Sequence, residues 1–472
     1  MGMLKLFFWG LFCFQLSATG NTTMDSQGMN SFFRFFSPEL QRVETRIQRI
    51  AQDLQSLPVP KAHPWGSRYG HRSADLPTEN TPDWLLMDLG APRKVDMLAL
   101  MPVNLSYQGE QGVGYGFPKR FRIEISDHAN MSDSVVLVDT SATDVPNPGK
   151  HPMVFEFAPV SGRYLRFTSL KHEGKSGVYF WALEELFVLQ GNLLASIGTE
   201  IRMSSSVDLY PQWVPVRIND GQSTLGMPVE VNAPSLSLGY LSAKSTREEV
   251  ENPLTPLSKK WCAVDLGKAF DIEQVRVLPL ESDAYEVTGG RGFPRQIQVQ
   301  LSNDPDFGTL AWESPKGNFQ LGYPDGCAIA VTVPHVKARY VRVYAHLLWS
   351  RDNWYVLGLS ELQVYDASHN VALGKRVFAK DISDKKASDG WAQEFLVDGY
   401  SSRFRLIEWP TYLRLLDQRG KLLRETEALE SQRAAIVSRG KTIINMGGVG
   451  MVILIAGAWL RGMIRHLSLI HI

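Results

Sequence analysis

The sequence has little of what covalent or metal chemistry needs. Only 3 of its 472 residues are cysteine, none of them in a CxxC pair, its 10 histidines show no HExxH spacing, and no GxSxG elbow is present. These absences argue against thiol, zinc-peptidase and serine-hydrolase sites, and His63 and His71 are too isolated to argue for a metal. Net charge is also missing. Lys plus Arg and Asp plus Glu both number 49, so no basic field attracts a phosphate backbone, which argues against a nucleic-acid partner. The glycines Gly109, Gly112, Gly114 and Gly116 lack the helix that a phosphate cradle requires, because Phe117 to Ser126 reads as a strand. What is there is ordinary globular composition, 44% hydrophobic and 21% charged, over a length sufficient for two or three domains.

Long apolar runs are confined to the two ends. Lys5 precedes the run Leu6 to Leu16, and Ser17, Ala18, Thr19 and Gly20 follow, so residues 1–20 read as a secretion signal. Cys13 lies inside it, which leaves Cys262 and Cys327 in the mature chain. Two thiols in an oxidising compartment are read either as one disulfide or as two separately buried cysteines. Ile443 to Leu460 carries no charge. Eighteen helical residues extend about 27 Å, near the roughly 30 Å of a hydrocarbon core. Residues 443–460 are therefore read as a C-terminal transmembrane helix, weakened by Gly447, Gly448 and Gly450, with a buried helix as the other reading. Signal and span together predict a single-pass membrane protein with its N-terminal modules extracytoplasmic. A chain that stops a few residues after the span is expected to be a fragment.

The strongest feature is an internal repeat. Trp84 to Gly90 (WLLMDLG) recurs as Trp261 to Gly267 (WCAVDLG), and Gly116 to Ser126 (GFPKRFRIEIS) recurs as Gly292 to Ser302 (GFPRQIQVQLS). Arg163, Tyr164 and Arg166 recur as Arg339, Tyr340 and Arg342, and the LEEL at Leu183 recurs as the LSEL at Leu359. The blocks keep one order at an offset of 176 or 177 residues. Each alternates apolar and polar residues between Gly, Pro, Asn or Asp, the pattern of half-buried antiparallel strands, and predicts a mainly β sandwich. A fifth block, Asn192, Trp213, Asp220 and Gly221, recurs as Asn370, Trp391, Asp398 and Gly399 at an offset of 178. It allows two orders: two units that each end in the block, or a unit lacking its start, a complete one, and a third reduced to its start. In the second order the modules cover 60–190 and 192–366, with a partial third start over 370–400.

Two helical segments flank the repeats. Ser37 and Pro38 make an N-cap and first turn for an amphipathic helix over 38–57, in which Val43, Ile47, Ile50, Leu54 and Leu57 recur at spacings of three and four. Over 408–440, Leu415, Leu422, Leu429 and Ile436 are spaced by seven, but Tyr412, Arg419, Thr426 and Arg433 between them are mostly polar. Each is either a short coiled coil, through which a dimer would form, or a helix packed on its own module.

WCAVDLG, RYVRV, LSEL and the pair NVALGKRV and LVDG, taken in order, resemble the discoidin family, also called coagulation-factor type C domains. The resemblance covers roughly residues 60 to 400. It implies two galactose-binding-like jelly-roll β-sandwiches that hold glycans, phospholipid head groups or proteins on loops at one end. It also implies a structural calcium at the DG turn, with Asp220, Thr224 and Glu361 as ligands and Glu185 as the first module's counterpart of Glu361. The plainer reading of an Asp before Gly is its own turn hydrogen bond. Asp398 repeats the turn without a closing acid and is expected to bind nothing.

Binding loops should differ between modules while strands agree. The candidates are Tyr107, Tyr115, Lys175 and Tyr179 in the first module, with His172 and Lys171 beside them. In the second they are Tyr285, Arg291, Trp349, Arg351, Asp352, Asn353, Trp354 and Tyr355. An aromatic ring beside Arg, Asp and Asn suits a sugar, since the ring covers C–H faces while the polar groups take hydroxyls. Trp354 and Tyr355 are read alternatively as core. The sequence thus predicts a non-catalytic, carbohydrate-binding protein at the cell surface. The rivals are the sensor region of a receptor whose output domain is missing, and a protein-binding adhesion protein.

Overall fold

The computed structural model describes residues 37–60, 69–105, 112–175, 177–209, 212–251, 259–280, 292–318 and 327–467. The expected secretion signal, residues 1–20, lies outside them. The chain divides into two compact units, one of residues 57–420 and one formed by residues up to 56 together with those from 421 onward.

In the second of these units the helix α1 (Pro38–Ser56) begins with Leu40 N–H donating to the Ser37 hydroxyl at 3.2 Å, as the capping pair predicts. Leu40, Val43 and Ile50 are buried along one face. Arg46 clasps Glu425 through Nε and Nη2 at 2.6 and 2.8 Å, and Arg433 reaches Glu44 at 3.3 Å. The pairs run in opposite directions along the sequence, so the two flanking segments lie antiparallel against each other within one chain. The later segment belongs to α2 (Trp409–Leu467). Residues 443–460 are its continuation, and here the expectation of a transmembrane helix is corrected: among the described residues no helix is long and apolar enough to cross a membrane. Asn445 and four glycines dilute the apolar run, and the turns before it in the same helix are charged.

The larger unit is mainly β. Its first module contains β1 (Asp83–Met101), β2 (Arg120–Ser126), β3 (Val135–Asp139), β4 (Met153–Lys171), β5 (Glu173–Lys175), β6 (Val178–Phe180), β7 (Glu185–Gln190), β8 (Leu193–Leu194) and β9 (Glu200–Met203). The second contains β10 (Lys260–Leu278), β11 (Gln296–Ser302), β12 (Trp312–Glu313), β13 (Ile329–Leu347), β14 (Trp349–Arg351), β15 (Trp354–Val356), β16 (Glu361–Asp366), β17 (His369–Asn370) and β18 (Arg376–Ala379). The main sheet of the first has the order β3-β2-β4-β1-β7-β8, with β9 also on β1, and that of the second has the order β12-β11-β13-β10-β16-β17, with β18 also on β10. The two orders are the same, and every pair is antiparallel.

The repeated motifs explain the shape. β1 loses register between Asp88 and Arg93, and β10 between Asp265 and Phe270, which folds each long strand over its own core. Gly90 and Gly267 make those bends at φ +78° and +84°, where a side chain would be strained. Asp88 accepts from Gly90 N at 2.9 Å and from Arg163 Nε and Nη2 at 2.8 and 2.9 Å; Asp265 holds Gly267 and Arg339 in the same way. The arginines keep both carboxyls below the usual range. The DLG and RY motifs are thus one clamp across a bend. Phe121, Ile123 and Ile125 face the first core, and Ile297, Val299 and Leu301 face the second.

The fifth block returns in both copies to the module before it. Gly70 bridges Trp213 and Gly239 bridges Trp391, and Gly221 N donates to Glu185 while Gly399 N donates to Glu361, both at 3.1 Å. Residues 192–225 therefore complete the first module, and 370–400 complete the second rather than opening a third. These contacts expose a sixth repeated block, Gly70 to Ala74 (GHRSA) and Gly239 to Ala243 (GYLSA). In both, the serine accepts from a core backbone N–H, Ser73 from Trp181 and Ser242 from Leu357.

The outer faces of the two sheets differ. Met97, Ala99, Met101, Phe187 and Leu189 in the first module are covered by Trp409, Tyr412, Leu413 and Leu416 from the first turns of α2. The equivalent face of the second carries Gln274, Arg276 and Tyr365, all buried. The modules are joined here by Gln274 Nε2 donating to Leu194 O at 2.9 Å and by the buried pair Arg93 and Glu273.

Cys262 and Cys327 are both buried and not bonded to each other, which resolves the two readings in favour of separate burial. Cys262 pairs with Val343 inside the sheet, whereas Cys327 precedes Ile329 at the far end of the same partner strand. Burial pushes the Cys262 thiol up to about 12.

Candidate functional site

β14 and β15 form a hairpin in which Trp349 faces Val356, Ser350 faces Tyr355 and Arg351 faces Trp354. Its loop is the pair Asp352 and Asn353, at φ +52° and +62°. Two consecutive positive values make a type I′ turn, whose twist matches that of the strands and which Asp and Asn tolerate best after glycine. The short strand Ser245–Thr246 lies on the other side of β15, with Thr246 opposite Trp354.

Directly opposed residues share a face, so Trp349, Val356, Arg351 and Trp354 form one row. The base of the row is core: Trp349 is 8% exposed and packs with Leu241, Val356 and Trp391. The tip is not. Trp354 is 44% exposed, the Lys244 ammonium lies 5.2 Å from its ring centroid, and Arg351 Nε stands 3.7 Å from the Asp352 carboxylate. Tyr355 points to the opposite face and packs on the second core. A ring edged by two cations, a carboxylate and an amide can take a planar apolar face together with hydroxyls around it.

The first module builds the same hairpin without the ring. Glu173 faces Phe180, Gly174 faces Tyr179 and Lys175 faces Val178, each 176 residues before its counterpart. Val178 therefore stands where Trp354 does, and the Tyr179 ring covers Gly174, where an added Cβ would lie 2.4 Å from it. His172 is structural: buried, it bonds Thr81 O at 2.6 Å and the Ser169 hydroxyl at 3.0 Å, and burial lowers its pKa.

The DG turns are the other candidate. The expected trio is not brought together. Asp220 and Thr224 lie with Glu184 and Glu185 of the first module: Thr224 donates to Glu184 through N and Oγ1 at 2.6 and 2.9 Å, and Asp220 accepts from Gln222 N at 2.8 Å. Glu361 instead faces the Asp398 turn, which therefore does have a closing acid. Glu361 is fully buried, one of its oxygens has no hydrogen-bond partner, and burial together with Asp398 raises its pKa well above the usual carboxylate range. Among the described residues no three His, Cys, Asp or Glu side chains converge.

No family model and no curated protein matches this chain. Among solved structures it is similar to the family 32 carbohydrate-binding module of Clostridium perfringens NanJ in complex with galactose, at 18% identity over 28% of this chain and 85% of that one, TM-score 0.20. It is also similar to the paired CBM32 domains of C. perfringens ZmpB in complex with GalNAc, at 12% identity over 65% and 86%, TM-score 0.21. A third is a fucolectin from striped bass serum, at 13% identity over 61% and 84%, TM-score 0.18.

The remaining expected site residues scatter. Tyr107, Tyr285 and Arg291 lie outside the described residues, as does the side chain of Lys175. Tyr115 is packed 5.0 Å from Phe180 and 6.1 Å from Trp213, within a small core cluster. Lys244 is the residue at the tip that sequence reasoning missed. It follows the GYLSA block, and recognising that block as the partner of GHRSA would have placed it beside the hairpin.

Proposed function

We propose that this chain is a non-catalytic binding protein that takes carbohydrate at the hairpin tip of its second module, through Trp354, Lys244, Arg351, Asp352 and Asn353. The observation that carries this reading is an exposed tryptophan on a rigid two-residue turn with charged and amide groups around it. A surface indole loses little by staying on a fixed hairpin and gains when a sugar face covers it. With residues 1–20 read as a secretion signal, the tip would meet its ligand outside the cytoplasm. A calcium ion, where bound, would be held by Glu361 and Asp398 with backbone carbonyls, and its role would be to fix the end of the module rather than to react. The test is a glycan array probed with the full chain, with and without calcium, alongside Trp354→Ala. Binding lost at least tenfold in the variant supports the site; binding that survives the substitution, or none by the folded chain, removes it.

A further inference from the structure

Between the outer face of the second sheet and the start of α2 lies a cavity of about 270 Å³ that the hairpin reading does not use. Arg276 forms part of its wall and is 1% exposed. Its guanidinium donates to Gln274 Oε1 at 2.8 Å, the Tyr365 hydroxyl at 3.0 Å and Asn192 O at 2.5 Å, and lies over the Tyr365 ring at 4.2 Å. All three acceptors are neutral. No carboxylate pairs with this buried charge among the described residues, an arrangement that is unfavourable unless an anion compensates it.

The fold does not demand the arginine. Its counterpart in the first module is Ala99, in an apolar face that α2 covers. Three further side-chain acceptors of the cavity are already engaged. Gln363 Oε1 is taken by the Tyr365 hydroxyl, Asn370 Oδ1 by Val364 N and Ala372 N, and Asn192 Oδ1 by Trp409 N. Ser368, His369 and Glu408 also line the cavity, and the groups near it that lack an acceptor are two guanidinium N–H groups and the amide nitrogens of Gln363 and Asn370. Leu278, Leu406 and Trp409 supply an apolar wall. The volume exceeds what a bare carboxylate or chloride fills and leaves room for a single sugar ring.

We propose that this cavity binds an acidic monosaccharide, its carboxylate on Arg276 and its ring against the apolar wall. The site is independent of Trp354. Glu408 stands exposed at the rim and opposes an anion, so it tunes affinity downward.

Calorimetric titration of the full chain with D-glucuronate, D-glucose, acetate and a polyuronate tests this. D-glucuronate should bind at least about tenfold more tightly than glucose or acetate, since a charge-assisted bidentate pair is worth a factor of that order. Arg276→Met should lose at least tenfold. Because that variant removes a buried group and can fail to fold, Leu373→Trp, at a rim residue that is 55% exposed, is the second arm: it should fill the mouth and abolish binding with an unchanged thermal melt. Glu408→Gln should tighten binding a few-fold. Glucuronate bound as well as or better than polyuronate assigns a free acid, and tighter polyuronate binding assigns a glycan end; both support the site. A folded chain that ignores glucuronate overturns it, as does binding untouched by Leu373→Trp. Loss on Trp354→Ala would also overturn it, by moving the acid to the hairpin.

Discussion

The two modules share a strand order, a bend, an Asp–Arg clamp and a closing turn, yet differ wherever those features leave a position unconstrained. On the outer face the first carries Ala99 under α2 and the second carries Arg276 beside a cavity. At the hairpin the first ends in Val178 and the second in Trp354. In the opening block the first buries His71 where the second buries Tyr240. What holds the sheets is shared, and the differences lie on the outer face, at the hairpin tip and at single positions within the cores.

The comparison is broken most forcefully in the cores. Trp181 of the first module is fully buried, donates to Asp83 at 2.7 Å and stands where the second has Leu357. Trp181→Ala should cost about 3–5 kcal/mol in urea unfolding, and a change below about 1 kcal/mol would mean that the smaller core pattern suffices in both modules. The next effect is electrostatic. Both ring nitrogens of His71 are buried without partners, and burial lowers its pKa from 6.5 to about 3. The folded state thus prefers the neutral ring. That contribution is intact above pH 6.5 and is lost as pH falls from 6.5 toward 3, by up to about 1.4 kcal/mol per unit. His71→Tyr, the second module's solution, should flatten the dependence measured by denaturation at several pH values. What slope remains belongs to groups such as His172 and His346, whose pKa burial also lowers.

The tips can be exchanged as well. Val178→Trp in a Trp354→Ala background should restore part of any glycan binding, short of the original affinity because no Asp–Asn turn flanks it; a complete absence of recovery on the same array would show that the ring alone is insufficient. The smallest effect is conformational. Asn353→Gly relieves a side chain at φ +62° and should stabilise the chain by up to about 1 kcal/mol in thermal melts, whereas Asn353→Val should destabilise it by about 1–2 kcal/mol.

Much of the scaffold was legible in the residues. Alternation in FRIEIS and IQVQLS set the register of β2 and β11 because one face of each is buried, and a one-residue slip would expose it. Alternation does not reveal that packing turns the polar face of Gln274 and Arg276 inward. The GHRSA and GYLSA pair escaped notice because the loops after it differ in length and shift its offset away from that of the strands. The pairing of Glu361 with Asp398 was hidden for the related reason that two orders of the blocks fit the sequence, and only contacts between distant segments decide between them. At the hairpin, composition left Trp354 and Tyr355 open to a reading as core, and the turn is what puts Trp354 at the tip while Tyr355 packs on the second core. Over 443–460, length and absence of charge point to a span, whereas among the described residues no helix is long and apolar enough to cross a membrane.

The bridges from Gly70 to Trp213 and from Gly239 to Trp391 have a consequence for synthesis. Each joins the first part of a module to its last, so neither module can close until nearly all of it has left the ribosome. The earlier one is sealed by its own DG turn before β10 is made, and during that interval its outer face still awaits the start of α2. Met97, Met101 and Phe187 are then uncovered on a nascent chain, an apolar surface of the kind that makes incomplete chains prone to aggregate.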